Sequence, residues 1–392
     1  MVMVLIVIGS TILFLVTSGG GKKDEGKKEA ISSDGSSGSA DASLDQLESQ
    51  LTNASTENGG ENVTDPDGTE PTPVPDDDEP EEPGTPTPTP RPASEIVDYG
   101  NYVVFDNAGY EMYSFVESTS LSYAETINSA ASKYGDSVNV YDIIIPLSSA
   151  IIFPEEYFDL IASSNQRDAI NTISAAFSDN VHYVDIYDTL YKHRWDYIYF
   201  RTDHHWTALG AYYAYKDLMK AMGKTAESLD DYETKEFEGF IGSFYDDTGD
   251  QSLYDNPDTV IAYLPHADND LWVRGTDGSE FNWNIISDVN NASANLKYVT
   301  FSAGDNDFEI VTNNELSDGS SCVVVKESFG NAFIPFLVDH YQYVYVVDYR
   351  YYTGNLTSLI QDNGVDDLIF INNVSMTRNK YLVGKIQTLI DG

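Results

Sequence analysis

Apolar and polar positions alternate in blocks along residues 97–392, and these blocks predict strands and helices in turn. Continuous apolar runs of strand length, typical of strands buried in a parallel sheet, occupy residues 138–146, 182–186, 320–326, 343–348 and 367–372. Apolar residues at helical spacing predict helices over 115–134, 155–177, 187–193, 207–222, about 330–340, 355–362 and 378–391. This alternation predicts an α/β fold in which helices flank a parallel sheet.

Three shorter patterns interrupt this rhythm. Residues 102–105, followed by Asp106, Asn107 and a glycine, predict a hairpin at the start of the domain. Residues 197–200 predict a short strand before an Asp-His-His-Trp segment. Residues 225–315 are acidic and rich in Asn, Gly and aromatic residues, with short alternating runs such as 298–301, and they predict a β-rich insertion or lid.

The N-terminal quarter of the chain has a different composition. Residues 1–18 are mostly apolar and long enough to span a bilayer, so we predict a transmembrane anchor or an uncleaved signal. Residues 19–96 are acidic and, over 71–92, rich in proline, which predicts a disordered linker. We therefore expect a membrane-anchored protein whose folded domain, residues 97–392, lies outside the cell.

Charge and cysteine content narrow the possible partners. The formal net charge is −43, which excludes nucleic acid as a partner because few cations are available to neutralise phosphates. The single cysteine, Cys322, lies in an apolar run and is expected to be a small core residue. No cofactor is expected.

Candidate chemical groups follow the predicted strands. Asp203 and His205 come just after residues 197–200, Ser328 follows 320–326, and Asn372 and Asn373 follow the last strand. Active sites of α/β enzymes form at the carboxyl ends of strands. On an extended segment Asp203 and His205 face one side and His204 the other, so the pair could orient a base toward a serine.

Ser328 begins a Ser-Phe-Gly-Asn turn between a strand and a helix, where its Oγ would be exposed. Backbone amides at such a turn, with the side chain of Asn331, could stabilise an oxyanion. Each residue also has a simpler interpretation: an Asp-x-His pair is usually surface polarity, a serine there is usually a helix cap, and Arg350 would commonly form a structural ion pair. Asn372 and Asn373 could make turns, and Trp206 could be core or pocket wall.

A metal site formed by Asp203, His204 and His205 is a further alternative. It is disfavoured because adjacent histidines diverge on an extended chain and no third group of ligands is evident. We assign no metal.

Residues 201–207, with the sequence RTDHHWT, resemble the signature of the DHHW family. That family is similar to the alginate O-acetyltransferases of the SGNH-hydrolase-like superfamily. The resemblance implies an SGNH-like (flavodoxin-like) fold with Asp203 orienting, His205 as general base and Ser328 as nucleophile. The family serine commonly follows Asp, whereas Glu327 precedes Ser328 here. Arg350, Asn372 and Asn373 match later positions of the superfamily only by their order.

The resemblance implies an extracellular O-acetyltransferase or acetylesterase that acts on a cell-surface polysaccharide or wall glycan through an acyl-serine. It also implies a membrane-bound O-acyltransferase as partner. Asn331, Arg350, Asn372, Asn373 and Trp206 are the candidates for oxyanion or substrate binding. Two alternatives stay open: a non-catalytic glycan-binding or scaffold protein, and a metal-dependent hydrolase.

Overall fold

The computed structural model describes residues 95–392 and, in backbone only, two strands near the N-terminus. These strands, β1 (Val4–Ile8) and β2 (Thr11–Leu15), pair antiparallel in a unit of their own. No helix within the described residues is long and apolar enough to cross a membrane. The anchor expected over 1–18 stays a prediction, and all but the last two residues of the linker predicted over 19–96 lie outside the described residues.

Strands and helices alternate through the larger unit. Its strands are β3 (Val97–Asp98), β4 (Tyr102–Phe105), β5 (Ala108–Glu111), β6 (Asn139–Ile145), β7 (Val181–Tyr183), β8 (Glu233–Phe240), β9 (Asp258–Leu264), β10 (Asn269–Arg274), β11 (Glu280–Trp283), β12 (Phe308–Asn313), β13 (Ser321–Lys326), β14 (Tyr343–Asp348) and β15 (Asp367–Asn373). Its α-helices are α1 (Glu117–Tyr134), α2 (Ser148–Ile151), α3 (Gln166–Ser174), α4 (Tyr187–Lys192), α5 (Ala208–Ala221), α6 (Ser243–Thr248), α7 (Gln251–Tyr254), α8 (Leu356–Asn363), α9 (Val374–Thr377) and α10 (Lys380–Asp391).

An eight-stranded sheet forms the centre of this unit, in the order β11-β10-β12-β14-β13-β15-β6-β7. Five neighbouring strands, from β14 to β7, are parallel. The apolar runs of β14, β13, β15 and β6 are buried on both faces, whereas β7 lies at the edge and is partly exposed. Cys322 is in the core as predicted. We call these five strands the parallel half of the sheet.

The other three strands come from the region predicted as an insertion or lid. Strand β12 pairs antiparallel with β14, β10 with β12, and β11 with β10. Strands β8 and β9 form a separate two-stranded sheet. The mixed α/β class is therefore confirmed. The five strands predicted from the long apolar runs are parallel, but the sheet as a whole is mixed, because β10, β11 and β12 of the predicted insertion add three antiparallel strands to it. We call residues 233–313 the antiparallel extension.

Several predicted elements differ in detail. The helix expected over 155–177 is a 3-10 helix, Glu155–Leu160, followed by α3. The break has a local cause: Ser163 and Ser164 accept hydrogen bonds from backbone N–H groups of an earlier loop, and Asn165 caps α3. The helix expected near 330–340 consists of two 3-10 segments, Ser328–Ala332 and Ile334–His340.

Residues 197–200 do not form a strand of any sheet and make only an isolated bridge between Tyr199 and Trp206. By contrast, the predicted hairpin is confirmed as β4 and β5. Its turn residues Asp106 and Asn107 have φ angles of 53° and 61°, as a two-residue type I′ turn requires. Thr207 caps α5 as expected, by accepting a hydrogen bond from the N–H of Gly210.

Candidate active site

The first part of the candidate site is the turn that follows β13. Ser328 begins this turn and is only 7% exposed. The carboxylate of the preceding Glu327 accepts hydrogen bonds from the N–H groups of Phe329 at 3.2 Å and Asn373 at 3.0 Å. Glu327 thus ties the serine turn to the end of the neighbouring strand β15, and its burial raises the pKa of its carboxyl group.

The second part is the Asp-His-His-Trp segment, which one buried carboxylate holds in place. Asp258, at the start of β9, accepts hydrogen bonds from the backbone N–H of Arg201 at 3.0 Å and from both the N–H and the hydroxyl of Thr202 at 2.7 Å. The guanidinium of Arg201 pairs with the same carboxylate at 3.0 Å. The antiparallel extension therefore fixes the segment that carries the candidate acid and base.

A chain of hydrogen bonds joins the two parts. The Nδ1 of His205 lies 2.6 Å from Oδ1 of Asp203, and its Nε2 lies 2.7 Å from Oγ of Ser328. With Nδ1–H donated to the carboxylate, Nε2 is left to accept the serine proton. The structure thus brings the three residues predicted as catalytic into the arrangement that acyl transfer requires. Their catalytic roles stay predictions at this point.

Asp203 is buried and remains ionised. Its Oδ1 accepts the N–H of His205 at 2.9 Å, and its Oδ2 accepts the N–H of Ser243 at 2.9 Å. Burial opposes ionisation, but His205, His204 and these hydrogen bonds hold the pKa of Asp203 well below its usual value. The negative charge can therefore orient the imidazole over the whole physiological pH range.

Three aromatic side chains pack around the His205 ring. Tyr298 stacks on one face, with ring centroids 4.1 Å apart and an interplanar angle of 11°. His204 packs against the ring at 3.9 Å, and Phe329 contacts it at 4.9 Å. The expectation that His204 points away is therefore wrong, because residues 201–205 bend instead of running extended.

His204 has a partner of its own. Its Nδ1 lies 2.6 Å from the Oγ of Ser243, the first residue of α6. Burial and the neighbouring His205 lower the pKa of His204, which favours a neutral ring. Ser243 and His204 form a second serine–histidine pair beside the first.

The same bend bears on the metal alternative. Asp203, His204 and His205 each offer a possible ligand atom, and these atoms lie within 4.8 Å of one another. The argument that adjacent histidines diverge is thus wrong here. However, both oxygens of Asp203 and Nε2 of His205 already take part in the hydrogen bonds described above, and we assign no metal to the site.

Two predicted binding residues support the serine turn from within the core. Trp206 is fully buried, and its Nε1–H donates to the carbonyl of Phe329 at 2.8 Å. The amide of Asn331 donates to Asp305 at 3.0 Å, while its Oδ1 is buried without a protein partner. Trp206 is thus a core residue, one of the two roles that the sequence analysis left open.

Arg350 belongs to a buried network of charges. Its Nη2 lies 2.6 Å from Asp348 and 2.7 Å from Asp305. The ammonium of Lys326 lies 3.3 Å from Asp348 and 3.6 Å from Asp305. Although burial opposes charging, these carboxylates raise the pKa of Lys326, and the two cations hold the pKa of Asp305 well below its usual value. The structural ion pair is therefore the arrangement found for Arg350.

Asn372 and Asn373 lie at the end of β15. The side-chain amide of Asn372 is buried and donates to the hydroxyl of Tyr123 at 3.3 Å. The Asn373 side chain caps α9 by accepting the N–H of Met376. No contact between either side chain and Ser328 is found within the described residues, so their binding roles stay predictions.

Sequence reasoning missed the residues that the antiparallel extension contributes. Ser243, Tyr298, Asp258 and Asp305 all contact the site, and none lies in a recognisable motif. The alternation of residues 298–301 favoured a strand, but Ala294–Thr300 is a 3-10 helix. Only Glu327 gave a signal, because it stands directly before Ser328.

Comparison with known proteins decides the family. The sequence model of the DHHW protein family matches residues 53–347. This chain belongs to the DHHW family. The family assignment drawn from residues 201–207 is therefore confirmed. A search of curated proteins gave no match.

Solved structures agree with the DHHW assignment. A DHHW family protein from Eubacterium siraeum DSM 15702 is 31% identical, with 75% of this chain and 97% of that chain covered and a TM-score of 0.69. PatB1 from Bacillus cereus is 17% identical, with 73% and 98% covered and a TM-score of 0.59. A second PatB1 structure carries a sulfonyl adduct and has a TM-score of 0.58. At this identity PatB1 shares the fold.

Proposed function

We propose that this DHHW protein is an O-acyltransferase or esterase that works through an acyl-serine at Ser328. The observation that carries the proposal is the continuous hydrogen-bond chain from Asp203 through His205 to Ser328, at 2.6 and 2.7 Å. A buried, ionised carboxylate at one end and a serine hydroxyl at the other are what nucleophilic acyl transfer needs.

The first half-reaction loads the serine. His205 Nε2 takes the proton of Ser328 as its Oγ attacks the carbonyl carbon of an acyl ester. Asp203 stabilises the imidazolium that forms. The tetrahedral intermediate then collapses, the bond to the donor's alcohol oxygen breaks, and that oxygen takes the proton from His205.

The second half-reaction transfers the acyl group from Ser328 to an acceptor. An acceptor hydroxyl loses its proton to His205 and attacks the acyl carbon, after which the Oγ of Ser328 leaves and recovers the proton. A sugar hydroxyl as acceptor makes the protein a transferase, and water makes it an esterase.

The proposed substrate is an acetylated or acetyl-accepting polysaccharide outside the cell, such as a wall glycan. This part rests on the DHHW resemblance and on the acidic composition, which disfavours polyanionic partners. The proposed membrane anchor over 1–18 and a membrane-bound O-acyltransferase partner belong to the same arrangement. Protease added to intact cells should digest the domain; protection from the protease would contradict the extracellular placement.

Covalent labelling tests the nucleophile directly. The full chain is treated with phenylmethylsulfonyl fluoride, and the modified residue is located by mass spectrometry. We expect one adduct on Ser328, no adduct in Ser328→Ala, and strongly reduced labelling in His205→Ala. The matched control is Ser375→Ala, which removes another serine that follows a sheet strand and contacts a carboxylate, Glu111, at 2.8 Å.

The second serine–histidine pair supplies the competing outcome. Labelling of Ser243 with Ser328 unmodified would refute the assignment of the nucleophile. Cleavage of 4-nitrophenyl acetate should fall to background in Ser328→Ala, and acetylated sugar should appear when an oligosaccharide is added. Sugar binding without any labelling or ester cleavage would instead support the non-catalytic alternative.

A further inference from the structure

Tyr298 contacts both ends of the proposed proton transfer. Its ring lies flat on the imidazole of His205, 4.1 Å away and at 11°. Its hydroxyl donates a hydrogen bond to the backbone carbonyl of Ser328 at 3.0 Å. One side chain therefore fixes the plane of the base and the turn that carries the nucleophile.

The ring itself is held rigidly by the antiparallel extension. Tyr298 is buried, and it packs in T-shaped contacts with Phe200 and Phe301. The ring centroids are 6.2 and 5.4 Å apart, respectively. Its 3-10 segment is tied down by Thr300, whose hydroxyl and carbonyl both bond the backbone of Ser287. These contacts hold the Tyr298 ring in a single position.

A stacked aromatic face distinguishes the two protonation states of an imidazole. The face of the ring carries negative charge density, so it attracts a cation more strongly than a neutral group. Such an interaction corresponds to roughly a 2- to 30-fold change in an equilibrium, with the larger values at desolvated sites. An interaction that is stronger in the charged state accelerates a step in which that charge develops.

We propose that Tyr298 is a positioning residue that stabilises the imidazolium form of His205 during acyl transfer and holds the Ser328 turn in register with it. The inference rests on the proposed function and extends it to a residue of the antiparallel extension. Burial raises the pKa of the Tyr298 hydroxyl well above its usual value, so this group stays a hydrogen-bond donor at working pH.

Other charged or titratable groups also act on His205. Asp203 bonds its Nδ1, and His204 packs on its ring. Glu327 lies 3.4 Å from the Oγ of Ser328, the atom that bonds Nε2 of His205, and Asp305 interacts with His205 electrostatically. The Tyr298 variants change none of these four residues. Tyr298→Phe and Tyr298→Leu both lose the hydrogen bond to Ser328, so a difference in the titration of His205 between these two variants reports the loss of the aromatic face.

Two substitutions separate the ring from the hydroxyl. Tyr298→Phe keeps the aromatic face and removes the hydrogen bond to Ser328, whereas Tyr298→Leu removes both. We expect the His205 imidazole of Tyr298→Leu to titrate at lower pH, by about 0.3 to 1.5 units, in a spectrum of histidine-labelled protein. The acid limb of the ester-cleavage profile should move in the same direction, and kcat should fall by about 2- to 30-fold with KM little changed. Tyr298→Phe should keep the wild-type titration and lose a smaller part of kcat.

If Tyr298→Leu does not fold, a fluorinated side chain at position 298 provides a second test. Trifluorinated phenylalanine at position 298 keeps the size of the Tyr298→Phe ring but withdraws its charge density, so it should lower the titration midpoint relative to Tyr298→Phe. An unchanged midpoint in folded Tyr298→Leu, or in the fluorinated protein, would overturn the inference. Because the titration needs no turnover, its shift can be measured even if Ser328 proves not to be acylated, and the two failures are distinguishable.

Discussion

The parallel half of the sheet and the antiparallel extension differ in how they build the candidate site. The parallel half supplies Ser328 and the cations Lys326 and Arg350 from turns and strand ends, as its β/α rhythm predicts. The antiparallel extension supplies Tyr298 and Asp305, which carry no sequence signature. The region predicted as a β-rich insertion or lid is therefore structurally part of the site.

Electrostatics joins the two regions. Lys326 is completely buried in the parallel half, and one of its two carboxylate partners, Asp305, comes from the extension. Asp305 also accepts the amide of Asn331 in the serine turn. The extension therefore cannot separate from the sheet without leaving a buried cation with only part of its countercharge.

The largest effect on stability is expected from removing the carboxylates of this network, Asp348 and Asp305. Asp348→Ala should lower the free energy of unfolding by about 3–5 kcal/mol, because it removes a fully buried partner of both Lys326 and Arg350. Asp305 is 22% exposed, so Asp305→Ala should cost less, about 1–3 kcal/mol. Urea unfolding measures both values. Equal losses would contradict the expectation that the fully buried Asp348 contributes more to stability than the partly exposed Asp305.

The next effect depends on pH and concerns one buried carboxyl in each region. Burial raises the pKa of Glu309 in β12 and of Asp142 in β6 to about 7. Each folded-state pKa lies above the unfolded value, so ionisation destabilises the fold as pH rises from about 4 to about 7. Neutral Glu309→Gln and Asp142→Asn should therefore gain stability relative to wild type by up to ~3 kcal/mol between about pH 5 and about pH 8.

The free energy of unfolding, measured at about pH 5 and about pH 8, checks this expectation. Glu280→Gln, at an exposed position of β11, is the matched control and should show no such pH-dependent gain. If only one of the two buried positions responds, the two regions differ in how they solvate buried carboxyls. If neither does, burial does not raise these pKa values.

The smallest effect probes the contact between the extension and the Asp-His-His-Trp segment. A Cβ at Gly242 would overlap the side chain of Asp203, so Gly242→Ala should displace that carboxylate. Misplacement of a catalytic group by about 1 Å costs roughly 10²-fold in rate. Ester cleavage should fall by about that factor. Gly384→Ala in α10 is the control, because its Cβ meets open space and should leave the rate unchanged.

The DHHW segment and the serine turn could be predicted because each is local. Residues 201–207 are contiguous, and Ser328 follows a strand that an apolar run marks clearly. The supporting contacts could not be predicted in this way. Ser243 lies 40 residues from Asp203, and Tyr298 lies 30 residues from Ser328. Hydrophobic periodicity gives no information about contacts between residues that lie so far apart in the chain.

The alternating strands and helices, the buried cysteine and the family could be read from the amino-acid sequence, because apolar periodicity and short motifs are properties of neighbouring residues. The pairing of β12 with β14 and of β10 with β12 became evident in the folded chain alone, since strand pairing depends on contacts far apart in the sequence. The tertiary structure also decided the direction of His204, because a bend in the backbone and the hydroxyl of Ser243 turn that ring onto His205. The candidate base is therefore enclosed by side chains that the motif alone does not specify.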